Sequence, residues 1–542
     1  MQKTGFIRGS SIMVTAIGIT KFLGILSIVP INQLLGNVGQ GYYSTAYNLY
    51  TILMVLATSG LPTALSKLIS ERAASKNDME IEQLYRVTLK LVSCFAVFGA
   101  LLIWFGAPYY ARLVAIHASH EQIANMTLSI RALAPAVLVV PLESALRGYL
   151  QGFQQVKGPA LSQALEQLFR VFVAVFGTYF LIKNGRGIAE GAATATFGAF
   201  VGAVAGAFAL WLSVIRFRRQ HTRHYKPQQS NRAVRQMLYN VAIPVCLGSL
   251  VVPISSNVDS LTVVNVLTHF AGQTFNQAQA GFGILSRQAQ NLVQLPLAFT
   301  IAVGFSVMPA ISKAKAAQDK AAIEANIITP MRMMFFVTFP AAAFFLSVAH
   351  PIEYILSDSY AGANIIAAIS LMCIFSSMEL MSTYILQGLG NFYQPVRNMF
   401  LGTALKAILN VLLILLLKSV LGAAIATILG YVLSSTLNVW AVRRHSGVRL
   451  SVLRLARPFL LASLPLFIEL FFMNRILTDV GTSFPPRELW LWNVMQLLIS
   501  CLTGALLYVF VSFRMRLLRP DQFCALPVIG PWLSRFAERT VG

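Results

Sequence analysis

Eleven ionisable side chains stand inside long apolar runs of this 542-residue chain. Lys21, Lys90, Arg131, Arg170, Arg287 and Lys406 are basic; Glu143, Glu166, Asp259, Glu379 and Glu469 are acidic. A charge at mid-bilayer costs on the order of 2.5–3.5 kcal/mol on insertion scales, so such a group lines a cavity or is paired. Buried cations can hold phosphate oxygens through charge-assisted hydrogen bonds, which are strong where the dielectric is low. Buried carboxylates can carry a coupling cation or proton. Catalytic chemistry has no comparable set of residues. The seven histidines (His117, His120, His221, His224, His269, His350, His445) fall in loops or at helix ends, and no carboxylates converge on them. No Gly-x-x-x-x-Gly-Lys-Ser/Thr loop is present to hold a nucleotide. Cys94, Cys246, Cys373, Cys501 and Cys524 have no metal or redox spacing and read as small core hydrophobes.

The elements that position these charges are membrane helices. Charged residues make up 11% of the chain and hydrophobic ones 56%, where a soluble domain carries about 25% charged. Crossing the hydrocarbon takes roughly 20 apolar residues. Fourteen runs qualify: 11–35, 44–68, 87–107, 128–149, 159–182, 188–215, 238–266, 279–308, 331–349, 362–386, 396–417, 419–441, 456–474 and 489–512. The first run is too long for the apolar part of a cleavable signal, so it is expected to stay. With the N-terminus inside and strict alternation, thirty Lys and Arg fall in inside segments and six in outside ones. The excess of basic residues on one side places both termini in the cytoplasm of a multi-pass cell-membrane protein. It also assigns the net charge of +23 to anionic lipid head groups rather than to nucleic acid.

The two halves repeat. Glu143-Ser-Ala-Leu-Arg-Gly-Tyr-Leu-Gln-Gly152 aligns with Glu379-Leu-Met-Ser-Thr-Tyr-Ile-Leu-Gln-Gly388 at an offset of 236. Without a gap the same offset pairs Pro159 with Pro395 and Arg170 with Lys406. Pro62-Thr-Ala-Leu-Ser-Lys67 matches Pro309-Ala-Ile-Ser-Lys313. A shift of six helices preserves orientation, so the repeats are parallel, as in rocking transporters. The expected fold is all-α: two pseudo-symmetric six-helix lobes plus two further helices. The N-lobe is 1–215, a basic linker 216–236, the C-lobe 237–442, the added pair 443–513 and an amphipathic cytoplasmic tail 514–542.

Arg147-Gly-Tyr-Leu-Gln-Gly152, Gly158-Pro-Ala-Leu-Ser-Gln-Ala-Leu-Glu-Gln-Leu-Phe-Arg170, Leu65-Ser-Lys67, Asp259-Ser-Leu-Thr262 and Ser286-Arg287-Gln288 resemble the MOP flippase superfamily. The branch is that of polysaccharide transporters and stage V sporulation protein B, and within it the likeness is greatest to Gram-positive MurJ-type lipid II flippases. The resemblance spans essentially the whole chain. It implies two lobes around a central cavity, lined by the first, second, seventh and eighth helices. It also implies an undecaprenyl-pyrophosphate-linked saccharide as substrate, lipid II first, carried from inner to outer leaflet by alternating access. Another lipid-linked polysaccharide or a teichoic-type precursor is the alternative. A cation-coupled drug exporter fits less well, since that branch has twelve helices. The implied partners are the lipid-linked glycan, membrane lipids and cell-wall synthesis machinery, with the chain as a monomer. The only cofactor-like species implied is Na+ or H+ as a coupling ion; no enzyme activity and no metal site are expected.

On this resemblance Arg287 and Lys21 hold the pyrophosphate, helped by the neutral donors Asn48 and Asn291. The competing role for each cation is a lobe-locking ion pair. MurJ-type proteins of Gram-negative bacteria carry several arginines in the first two helices; here Lys21 and Ser27 stand at the first two positions, leaving a less cationic cavity. Asp259, on the seventh helix, matches a carboxylate that sodium-coupled relatives use; Lys406 and Asn410 on the eleventh either complete an ion site or, through Lys406, replace the ion with a salt bridge. Glu166 and Arg170, spaced i,i+4, form a structural pair. Glu143 and Glu379 anchor cytoplasmic loops, Lys90 and Arg131 snorkel, and Glu469 reaches water near a helix end. Pro30, Pro62, Pro244, Pro253, Pro296 and Pro340, with Gly24, Gly36 and Gly41, loosen the helices that would bend.

Overall fold

The structure is a computed structural model. It describes residues 2–74, 78–153, 155, 157–220, 230–481 and 485–517; before Leu26, side chains are outside the description with few exceptions. Among the described residues nineteen α-helices follow one another, with no strand. They are α1 Gln2–Ser59, α2 Leu61–Ala74, α3 Asp78–Val114, α4 His120–Arg131, α5 Ala134–Gly152, α6 Lys157–Phe172, α7 Thr178–Lys183, α8 Ile188–Gln220, α9 Asn231–His269 and α10 Phe275–Gly283. Then come α11 Gln290–Ala316, α12 Lys320–Ser347, α13 Ala349–Ser357, α14 Ala363–Ser370, α15 Met372–Gly388, α16 Tyr393–Leu417, α17 Leu421–Ser446, α18 Val452–Gly481 and α19 Pro486–Arg514. Val173–Gly177 and Ile284–Ala289 are π-helical turns joining α6 to α7 and α10 to α11.

Thirteen segments among the described residues are long and apolar enough to cross a membrane. The first, Leu26–Ala73, has 48 residues, about 72 Å of helix against roughly 30 Å of hydrocarbon. It holds the second expected run and the end of the first. Gly36 breaks the helix between them with φ 60° and ψ −179°, a conformation open to glycine. Several helices overrun their apolar runs because polar ends stay helical beyond the hydrocarbon: α3 covers 78–114 where the run is 87–107. The outer surface is apolar, with Phe98, Phe105, Ile408 and Leu502 exposed, as a lipid-facing bundle requires.

The chain divides into two compact units, Met1–Gly283 and Ile284–Gly542. The boundary falls at the second π turn, and α9 and α10 belong to the first unit. The basic linker 216–236 lies within that unit, with 221–229 outside the described residues, as is 518–542, most of the expected amphipathic tail. In the first unit a core of Leu65, Ile69, Leu84, Tyr149 and Leu210 ties α2, α3, α5 and α8 together. In the second, Ile311, Met331, Met334, Phe335 and Phe459 do the same for α11, α12 and α18. The repeat is visible in matching close approaches inside each unit. A Cβ on Gly152 would strike Ile69 and the Ser66 carbonyl of α2; one on its mate Gly388 would strike Ile311 and the Met308 carbonyl of α11. The last two helices are held by buried amides, since apolar contact alone gains little in lipid. Gln496 Nε2 donates to Asn474 Oδ1 at 2.9 Å and to Thr478 Oγ1 at 3.1 Å, and Ser500 Oγ to Asn474 Oδ1 at 3.1 Å.

Candidate functional site

Arg287 lies in the π turn Ile284–Ala289, within the span Phe275–Ala316. A π turn inserts a residue and leaves backbone carbonyls without regular partners, which is why such turns recur at functional sites. Here the Asn291 side-chain amide donates to the Arg287 carbonyl. Asn291 thus supports the turn that carries the guanidinium. The Arg287 side chain is partly buried. Lys21 falls in α1, and its side chain lies outside the described residues.

Asn48 joins a polar seam where α1 packs on α9. Its Nδ2 donates to Ser260 Oγ at 2.7 Å and to the Ser256 carbonyl at 3.3 Å, while Asn257 Nδ2 donates to the Asn48 carbonyl at 2.7 Å. Tyr110 Oη of α3 donates to Asn257 Oδ1 at 2.7 Å. Asp259 sits between Asn257 and Ser260 and is fully buried. This seam gives a physical reason for α9 to belong to the first unit: side-chain hydrogen bonds tie it to α1 and α3. Lys406 and Asn410 are buried on one face of α16 in the second unit.

The paired carboxylates of the repeat stand in different surroundings. In the first unit, Arg147 Nη2 contacts Glu143 Oε1 at 2.6 Å and Glu166 Oε2 at 3.4 Å. Arg170 is paired with Glu166 and donates to Tyr47 Oη at 3.3 Å. Ser162 Oγ donates to Glu143 Oε1 at 2.8 Å, and Gly206 of α8 lies against the same carboxylate. Two guanidiniums therefore face two carboxylates across α5 and α6, bordered by the stacked rings of Tyr43 and Tyr47. In the second unit, Glu379 Oε1 accepts from Thr383 Oγ1 at 3.0 Å and from Asn438 Nδ2 at 3.3 Å. Asn398 Nδ2 in turn donates to Asn438 Oδ1 at 2.9 Å.

The structure thus brings Glu166 to Arg170, Asn291 to Arg287, and Asn48 to the neighbours of Asp259. Asp259 and Lys406 belong to different units. Sequence reasoning passed over Arg147, which reads as a loop-facing cation at a helix end, and Tyr110, Ser162, Thr383, Asn398 and Asn438. One signal was available: the 236-residue offset pairs Arg147 with Thr383 and Ser162 with Asn398.

An all-helical, multi-pass bundle with buried charges and a parallel repeat defines a membrane transporter rather than a catalyst of reactions in water. The family described as polysaccharide biosynthesis protein matches residues 6–315. This covers more than half of the chain, which belongs to that family. The chain is 26% identical to the lipid II flippase MurJ of Bacillus subtilis over 463 residues, 82% of this chain and 84% of that one. It is 24% identical to stage V sporulation protein B of the same organism over 543 residues, 99% of this chain and 100% of that one. Among solved structures, lipid II flippase MurJ in an inward closed conformation matches with a TM-score of 0.66 at 17% identity, covering 92% of this chain and 97% of that one.

Proposed function

We propose that the chain moves an undecaprenyl-pyrophosphate-linked saccharide, lipid II before others, from the inner to the outer leaflet by alternating access. The observation that carries this reading is a guanidinium inside a membrane span, Arg287, presented by a π turn. A guanidinium binds two phosphate oxygens at once, which suits a pyrophosphate headgroup. The similarity to a lipid II flippase supports the same substrate. Lys21 and Asn48 are proposed as further phosphate donors, Asn291 holds the turn, and Asp259 is a proposed seat of Na+ or H+ coupling. Both termini are placed in the cytoplasm on the thirty-to-six distribution of basic residues. On this topology, cysteines introduced at Ala361 and Gly272 react with an impermeant thiol reagent from outside in a background without native cysteines, and one at Gln229 does not.

The fuller coverage of stage V sporulation protein B, 99% of this chain against 82% for the flippase, favours a second reading. In it the saccharide is another lipid-linked glycan or a teichoic-type precursor. Depletion of the protein followed by lipid analysis separates the two. Lipid II accumulating on the cytoplasmic face supports the first reading; accumulation of a different lipid-linked glycan replaces it with the second. If no lipid-linked glycan accumulates, both fail.

A further inference from the structure

We propose that Glu379 is a proton-binding site of the second unit, and that its protonation and release accompany the transport cycle. Three observations converge on it. Glu379 lies within the span Ala363–Gly388 and is 6% exposed. Every hydrogen bond to its carboxylate comes from a neutral donor, Thr383 Oγ1 or Asn438 Nδ2. No ion pair to it exists among the described residues. An ionised carboxylate taken out of water without an opposite charge is costly, and a bound proton removes that charge.

The repeat supplies the internal control. Glu143 occupies the mated position in the first unit and has the Arg147 guanidinium 2.6 Å away. At the offset of 236, Arg147 becomes Thr383, Ser162 becomes Asn398 and Glu166 becomes Gly402. The exchange removes one guanidinium and one carboxylate and leaves a single carboxylate among amides and a hydroxyl. At Gly402 the charge cannot be restored in place, because a Cβ there would strike the Gly430 carbonyl of α17.

The elements packed against α15 are α11, α12, α14, α16 and α17. Their charged or titratable groups are Lys313 and Lys315 on α11, Lys320, Glu324 and Arg332 on α12, Tyr393, Arg397 and Lys406 on α16, and Tyr431, Arg443, Arg444 and His445 on α17; α14 has none. None is bonded to Glu379. Lys315 donates instead to the Leu389 carbonyl and Arg332 to the Leu517 carbonyl. The donor set favours a proton over a metal ion. A metal needs oxygens turned toward it, whereas Asn438 turns its N–H to Glu379 and spends its oxygen on Asn398. The chemistry balances without another reactant: water on one side of the membrane supplies the proton, and water on the other receives it.

The protonation part stands on this geometry alone; the coupling part rests on the flippase reading, and two measurements keep them apart. The first is infrared difference spectroscopy of the full-length protein in lipid vesicles during acidification. Wild type should show a buried carboxylic C=O stretch that Glu379→Gln lacks and Glu143→Gln retains. If the band persists in Glu379→Gln, the site is overturned. Should that variant not assemble, Asn438→Leu reads the same group: the band must change its midpoint on the pH axis, and an unchanged band overturns the proposal. The second is flipping of a fluorescent lipid II probe in the same vesicles with and without an imposed pH gradient. Stimulation by the gradient, taken relative to each protein's own gradient-free rate, should be smaller in Glu379→Gln than in wild type. Stimulation equal to that of wild type overturns the coupling part. If wild type does not move the probe, the substrate assignment fails while the infrared result still decides the proton site.

Discussion

Glu143 and Glu379 occupy matching positions of the repeat, yet their environments differ in kind. The first is balanced by arginine within a four-charge network on α5 and α6. The second is held by a threonine and an asparagine. The backbone around them is alike: each stands nine residues before the glycine that packs its helix against α2 or α11. The repeat therefore preserves packing while letting electrostatics diverge. A balanced network suits a half that keeps its charge through a cycle, and an unbalanced carboxylate suits one that changes it.

The largest effect expected from disturbing this comparison is in the first unit. Arg147→Ala leaves Glu143 buried beside Glu166 with its nearest cation gone. Breaking a buried pair by removing one partner costs about 3–5 kcal/mol. Thermal unfolding in detergent should show the loss, and Glu143→Gln added to Arg147→Ala should recover most of it. No recovery would mean that Arg147 acts through packing rather than charge.

An intermediate effect is expected at Asp259, a fully buried carboxylate within a span. If Asp259 binds a cation, transport follows the sodium or proton gradient in wild type and Asp259→Asn loses that dependence. Transport in vesicles with and without each gradient reads the outcome; a dependence unchanged in Asp259→Asn would remove the coupling role.

The smallest effect is expected at Thr383. A neutral hydrogen bond contributes roughly 0.5–1.5 kcal/mol net, so Thr383→Val should lower the unfolding temperature far less than Arg147→Ala. A loss of equal size at the two positions would erase the distinction between the units.

How much of this was legible in the sequence differs from feature to feature. The spans were legible because lipid leaves the backbone little choice but helix, and Gly36 marked a break between the first two runs. The repeat was legible through Glu143–Gly152 and Glu379–Gly388. The π turn at Ile284–Ala289 was not, since one added residue per turn leaves no trace in an apolar pattern, and neither was short α13. The partners of the carboxylates were hidden for another reason. Asn438 is 59 residues from Glu379 in sequence, and Tyr110 is 147 residues from Asn257. Their adjacency exists only after the helices pack, and in lipid an asparagine or tyrosine inside a run can bond its own helix or a neighbour equally well. The role of Arg147 was masked by its place near a helix end, where a cytoplasmic contact is the usual fate of an arginine.

The central claim is that a guanidinium inside a membrane span recognises the pyrophosphate of a lipid-linked saccharide. Its most direct test is flipping of fluorescent lipid II by purified protein in vesicles, at equal protein abundance, for wild type, Arg287→Lys and Arg287→Ala. The account predicts transport by wild type, partial transport by Arg287→Lys, where a point charge replaces a planar fork, and none above empty vesicles by Arg287→Ala. Wild-type flipping by Arg287→Ala would contradict it and leave recognition to Lys21 and the neutral donors.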